Sequence, residues 1–162
     1  MYKTAFVLMV TALMAGTVAA SDKSDVMAVI HQWVDGFNQG DTKAMVATCA
    51  DQGAIIDDFA PNEWHGAGVC ATWIKDFEAW STKNAITDSK VIAGKARHLT
   101  VDGNNAYVVM PMTFTYNDHG KPMKETGSLV TMSLAKSDSG WRVSGWAWSS
   151  GTTAAASTQG GH

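Results

Sequence analysis

Val29-Ile30-His31-Gln32-Trp33-Val34, followed after two residues by Phe37-Asn38-Gln39-Gly40-Asp41, sets the frame for the rest of the chain. Val26, Ile30, Trp33, Val34 and Phe37 recur at intervals of three and four, which gives a helix one apolar face that must be covered. Ser24 stands where an N-cap belongs. Gly40 can take the left-handed backbone that ends a helix. Asp41 then caps a second, shorter helix whose buried face is Met45, Val46 and Cys49.

Downstream of this pair, Ala54-Ile55-Ile56 reads as a short strand ending at Asp57-Asp58, and Phe59 to His65 reads as a loop. Gly66 opens a third helix with Val69, Cys70, Trp73, Ile74, Phe77 and Trp80 on one broad face. From Thr87 the period changes from helical to alternating. Four strands are expected, over Lys90–Val101, Ala106–Tyr116, Met123–Lys136 and Trp141–Ser149. Their connections carry turn residues, such as Asp102-Gly103-Asn104 and Asn117-Asp118-His119-Gly120. Pro111 lacks an N–H for the ladder and points to an edge position or a bulge. Helices followed by a run of strands give an α+β domain, with a curved antiparallel sheet wrapped in a cone around three N-terminal helices. Such a cone encloses a cavity, and function is sought there.

The ends of the chain read differently. Lys3, an apolar run from Ala5 to Ala15, and the small residues Val18-Ala19-Ala20 form a secretory signal peptide over residues 1–20, with cleavage after Ala20. The run is too short to span a bilayer, which takes about 20 apolar residues. Export to the periplasm or the medium is the expectation, with no membrane contact after cleavage. One domain over residues 21–150 follows, and the Gly-, Ser-, Thr- and Ala-rich residues 151–162 read as a disordered tail.

The formal net charge of the chain is −3, without a basic cluster, which argues against nucleic acid as a partner. Cys49 and Cys70 are an even pair in an oxidising compartment, so a disulfide is one reading. Two small buried thiols are the other. Two cysteines cannot complete a structural zinc site without histidines, and only His65 is near, so no metal is expected. No phosphate loop, nucleophile elbow or CxxC pair is present, and no cofactor is expected. The seven tryptophans, all from Trp33 onward, are chiefly packing residues, yet an aromatic-lined pocket would show the same enrichment.

The helix and its Asn38-Gln39-Gly40-Asp41 break, the Trp64-His65-Gly66 segment, and the closing Gly140-Trp141-Arg142-Val143 with Trp146 and Trp148 resemble the nuclear transport factor 2-like superfamily. That superfamily includes SnoaL-like and ketosteroid isomerase-like domains. The resemblance covers about Asp25 to Gly151 and implies the cone-shaped fold and a homodimer. It does not imply one activity, because the superfamily holds isomerases, cyclases, dehydratases and binding proteins. Set against ketosteroid isomerases without gaps, Asp57 falls on the position of the proton-transferring carboxylate. Those enzymes also use an oxyanion hole of one tyrosine and one protonated aspartate. Trp33 stands at the tyrosine position, and an indole N–H donates but lacks a phenol's acidity. Ser128, Leu129, Val130 and Thr131 stand near the place of the second acid, while Glu125 falls too early in the strand.

Two readings follow. In the first, an exported domain binds a small apolar or aromatic molecule in a cavity lined from among Trp33, Phe37, Phe59, Trp64, His65, Trp73, Met110, Met112, Phe114, Trp146 and Trp148. In the second, a proton-transfer enzyme (isomerase, dehydratase or cyclase) uses Asp57 as general base. Strand alternation puts Asp57 toward the cavity and Asp58 outward.

Overall fold

The computed structural model describes the backbone of residues 12–156 and the side chains of residues 21–156. All of the expected signal peptide, and the end of the expected tail, lie outside the described side chains. Helix α1 (Ala12–Gln39) begins well before Ser24, so Ser24 is inside the helix and not its cap. Gly40, at φ 69°, ends it. Helix α2 (Thr42–Val46) is capped by the Asp41 carboxylate, which accepts from the Ala44 N–H at 2.9 Å.

Cys49 is not part of α2. It starts strand β1 (Cys49–Ile56), and the Trp64-His65-Gly66 segment lies in a second strand, β2 (Glu63–Ala67), instead of leading directly into a helix. Helix α3 (Val69–Lys83) starts after Gly68. The first expected long strand is two, β3 (Ile86–Ala93) and β4 (His98–Asp102). Strands β5 (Asn105–Asp118), β6 (Lys121–Ser137) and β7 (Gly140–Ser149) match their expected spans closely. The start of the expected disordered tail is ordered: strand β8 (Thr152–Ala155) pairs with β6.

The sheet runs β2-β1-β7-β6-β5-β3, with β4 also on β5 and β8 on β6. All pairs are antiparallel except β1 with β7, which is parallel. The domain is α+β, with the helices on a curved, unclosed mixed sheet. Pro111 sits in a central strand and not at an edge. Its carbonyl accepts from Gly94, in the break between β3 and β4, so its missing N–H faces a gap in the neighbouring edge.

Asn38 joins α1 to the sheet as a strand residue would. Its amide donates to the Val91 carbonyl at 2.8 Å and accepts from the Val91 N–H at 2.7 Å. At the other end of the domain, Asp22 receives Lys136 at 2.5 Å and the Trp141 indole at 3.3 Å. Between these ties, Val26, Ile30, Trp33 and Val34 bury one face of α1 against Met110, Met132, Leu134 and Val143 in one core. Cys49 and Cys70 are joined by a disulfide, linking the start of β1 to the start of α3.

Candidate functional site

Four aromatic stripes converge on one cavity of about 240 Å³. Helical spacing of four puts Trp33 and Phe37 of α1 on one side, stacked 6.1 Å apart. Spacing of four and three puts Trp73, Phe77 and Trp80 of α3 on another. Alternation places Trp146 and Trp148 together on β7, and Phe114 and Tyr116 together on β5. Trp146 meets both Trp33 and Trp73 edge-on, at 5.1 and 5.0 Å, and Phe59 closes the loop side. The volume is below that of a drug-sized pocket, about 300–1,000 Å³, so the cavity suits a small molecule.

Four of the expected lining residues lie elsewhere. Met110 and Met112 are on the same face of β5 as Phe114, but deeper, where the cone is close-packed and both are fully buried. Trp64 stands behind Phe59, ring centroids 4.9 Å apart, with its indole donating to Asp76 at 2.8 Å. His65, on the open face of β2, is exposed beside Glu63 at 3.2 Å.

Asp57 follows Ile55 at the end of β1 with the same inward parity and lines the cavity. Its carboxylate accepts from the Trp73 indole N–H at 3.0 Å and from the Asp58 N–H at 2.8 Å. Burial against the aromatic walls pushes its pKa up to about 7, Asp58's charge adds to the rise, and the two hydrogen bonds oppose it. A carboxyl that titrates near neutrality can take a proton and return it. Asp58 is exposed, as alternation implies, and accepts from Ser150 at 2.5 Å. It also borders the cavity mouth.

Glu125 is the residue that sequence reasoning set aside. It is 6% exposed and lines the cavity. Inward positions on β6 run Met132, Val130, Ser128, and strict alternation would continue to Thr126. A bulge at Thr126-Gly127 changes the parity, so Phe114 pairs with Glu125 while Met112 pairs with Ser128. Gly127, at φ 81°, is the signal in the sequence. Oε1 of Glu125 accepts from Ser128 Oγ at 2.6 Å, Gly151 N–H at 3.0 Å and Trp148 Nε1 at 3.2 Å. A Cβ on Gly151 would stand 2.1 Å from the Thr126 carbonyl, so only glycine lets the chain approach Glu125 here.

Trp33 also lines the cavity, and its buried Nε1–H has no partner among the described residues. Among the described residues, no group of three His, Cys, Asp or Glu side chains is placed to hold a metal ion, and no helix is long and apolar enough to cross a membrane.

A SnoaL-like domain model matches residues 26–152, nearly the whole of the described fold. The chain belongs to the SnoaL-like family. Solved structures agree on the fold. A nuclear transport factor 2-like protein from Novosphingobium aromaticivorans is 17% identical, with TM-score 0.64, covering 86% of this chain and 88% of its own. A ketosteroid isomerase-like protein from Erwinia carotovora is 18% identical, with TM-score 0.62, covering 80% and 95%. A hexachlorocyclohexane dehydrochlorinase from Novosphingobium barchaimii is 11% identical, with TM-score 0.66, covering 90% and 93%. No curated protein sequence matches the chain. At these identities the structural likeness extends this SnoaL-like domain's fold assignment and not its chemistry.

Proposed function

We propose that this SnoaL-like domain binds a small, largely apolar or aromatic molecule in its cavity, and that Asp57 removes a proton from it. The observation that carries this reading is a carboxyl with a pKa of about 7 set in a wall of aromatic rings. The step breaks one C–H bond beside an electron-withdrawing group of the ligand. The proton goes to Asp57, and the electron pair moves onto the ligand's carbonyl oxygen or expels a leaving group from the adjacent carbon. The unpartnered N–H of Trp33 supplies a donor for the oxygen that gains charge. Dehydrochlorinase chemistry in a structural neighbour is consistent with the elimination branch.

The test needs no identified substrate. 2-Tetralone has acidic C–H bonds next to a carbonyl, and its exchange with D2O is followed by NMR. The domain is expected to accelerate exchange, with the rate rising through about pH 7 as Asp57 ionises. Exchange at the buffer rate, while 2-tetralone is seen to bind, would leave the second reading: binding without turnover. That reading is favoured by the indole of Trp33 at the position where ketosteroid isomerases use a tyrosine.

Export is part of the proposal. Among the described residues Asp22 holds Lys136 and Trp141, and cleavage after Ala20 keeps both contacts. N-terminal sequencing of the exported protein is expected to begin at Ser21, and Met1 on exported, folded protein would refute it. The homodimer implied by the resemblance is checked by analytical ultracentrifugation of the same material.

A further inference from the structure

The cavity walls combine ten aromatic rings with the carboxyl groups of Asp57, Asp58 and Glu125, and they carry no Lys, Arg or His. A pocket for a neutral aromatic molecule needs the rings alone. Carboxyl groups facing one cavity repel one another and lose hydration, a cost usually offset by a counter-charge. Among the described residues the lining supplies none.

Glu125 makes the point sharper. The side chain is nine-tenths buried, and its Oε1 already holds three donors, from Ser128, Trp148 and Gly151. These contacts fix the carboxyl group in one orientation. No donor among the described residues reaches Oε2, on a side chain that borders the cavity. The rings act in the same sense, because the face of an indole or phenyl ring carries the negative end of its quadrupole.

We infer that the ligand is an organic cation, an alkyl- or aryl-ammonium compound whose charged end meets Glu125 and the indole faces while its apolar body fills the cavity. The inference rests on the cavity-binding reading above and names its ligand class. Binding of a cation also reverses the electrostatics at Asp57. Asp58 raises the Asp57 pKa while the Trp73 indole and the Asp58 N–H lower it, and an added positive charge in the cavity would act with these two donors to favour the ionised form.

The experiment compares two ligands of one shape, phenyltrimethylammonium and tert-butylbenzene, by calorimetry or fluorescence quenching of the cavity tryptophans. The cation is expected to bind about 10- to 100-fold more tightly, through cation–π contacts together with coulombic attraction to the Glu125 carboxylate, since a quaternary ammonium has no N–H to donate. Glu125→Gln removes the charge attraction and is expected to cost about 10-fold of that preference while leaving tert-butylbenzene within about 3-fold. If Glu125→Gln does not fold, Asp58→Asn at the exposed mouth serves, with a severalfold loss for the cation alone. Equal or tighter binding of tert-butylbenzene would overturn the cation inference and keep the cavity reading. Binding of neither ligand would overturn both.

Discussion

Asp57→Asn is expected to slow 2-tetralone exchange by about 10²–10⁴-fold, the usual contribution of a positioned general base, while making the protein more stable at pH 8. The two effects come from one cause. In the folded state the Asp57 pKa is raised from the ordinary 3.8 to about 7. Between those values the folded protein holds a proton that the unfolded chain has lost, so stability falls as pH rises from about 4 to about 7 and is level above. Three pH units correspond to at most about 4 kcal/mol. Asp57 is only partly buried, and water at the mouth screens the charge, so about 1–3 kcal/mol is expected. Asparagine has no charge to desolvate and can still accept from the Trp73 indole.

The measurement is chemical unfolding of wild type and variant at pH 4.5 and pH 8, alongside the exchange assay. The variant's advantage should be small at pH 4.5 and full at pH 8, since all other titrating groups are common to both. A residue kept for packing would show the opposite: a loss of stability on substitution and no effect on exchange. Unchanged exchange in a folded Asp57→Asn protein would remove Asp57 from the chemistry.

What is legible in the sequence follows the periodic patterns. The helix ending at Asn38-Gly40, the aromatic stripe of α3 and the alternation of β5 and β7 are each stated by spacing, and each places cavity residues. Phe77 and Trp80 were legible as the apolar face of α3, though not as lining. The failures fall where backbone geometry overrides the pattern. The bulge at Gly127 turns Glu125 inward, and no alternation rule anticipates it. The break at Gly94 lets Pro111 sit in a central strand. Met110 and Met112 share a face with Phe114, and only the taper of the cone separates core from cavity. Residues Thr152–Ala155 lack apolar weight and still form a strand, because the edge of β6 beyond β7 offers a free ladder to pair with.

Replacement of both cysteines, Cys49→Ser with Cys70→Ser, is expected to destabilise the domain by about 3 kcal/mol, lowering its Tm by about 10 °C. The bond closes a loop with a sequence separation of 21, and in the chain-entropy view it acts by limiting the unfolded chain. Its position has a second consequence. One end is the first residue of β1, whose other end leads to Asp57, and the other end lies in the first turn of α3, which carries Trp73, Phe77 and Trp80. The bridge therefore ties the strand that delivers the carboxylate to the helix that supplies much of the aromatic wall and the indole bonded to that carboxylate. Thermal unfolding with and without reductant checks the assignment. Reductant should bring the wild-type Tm down to that of the variant and leave the variant unmoved. Two free thiols in protein taken from its native compartment would refute the bond there. An unchanged Tm in the double variant would show that helix–sheet packing alone, through Val69, Trp73 and Ile74, holds the wall in place.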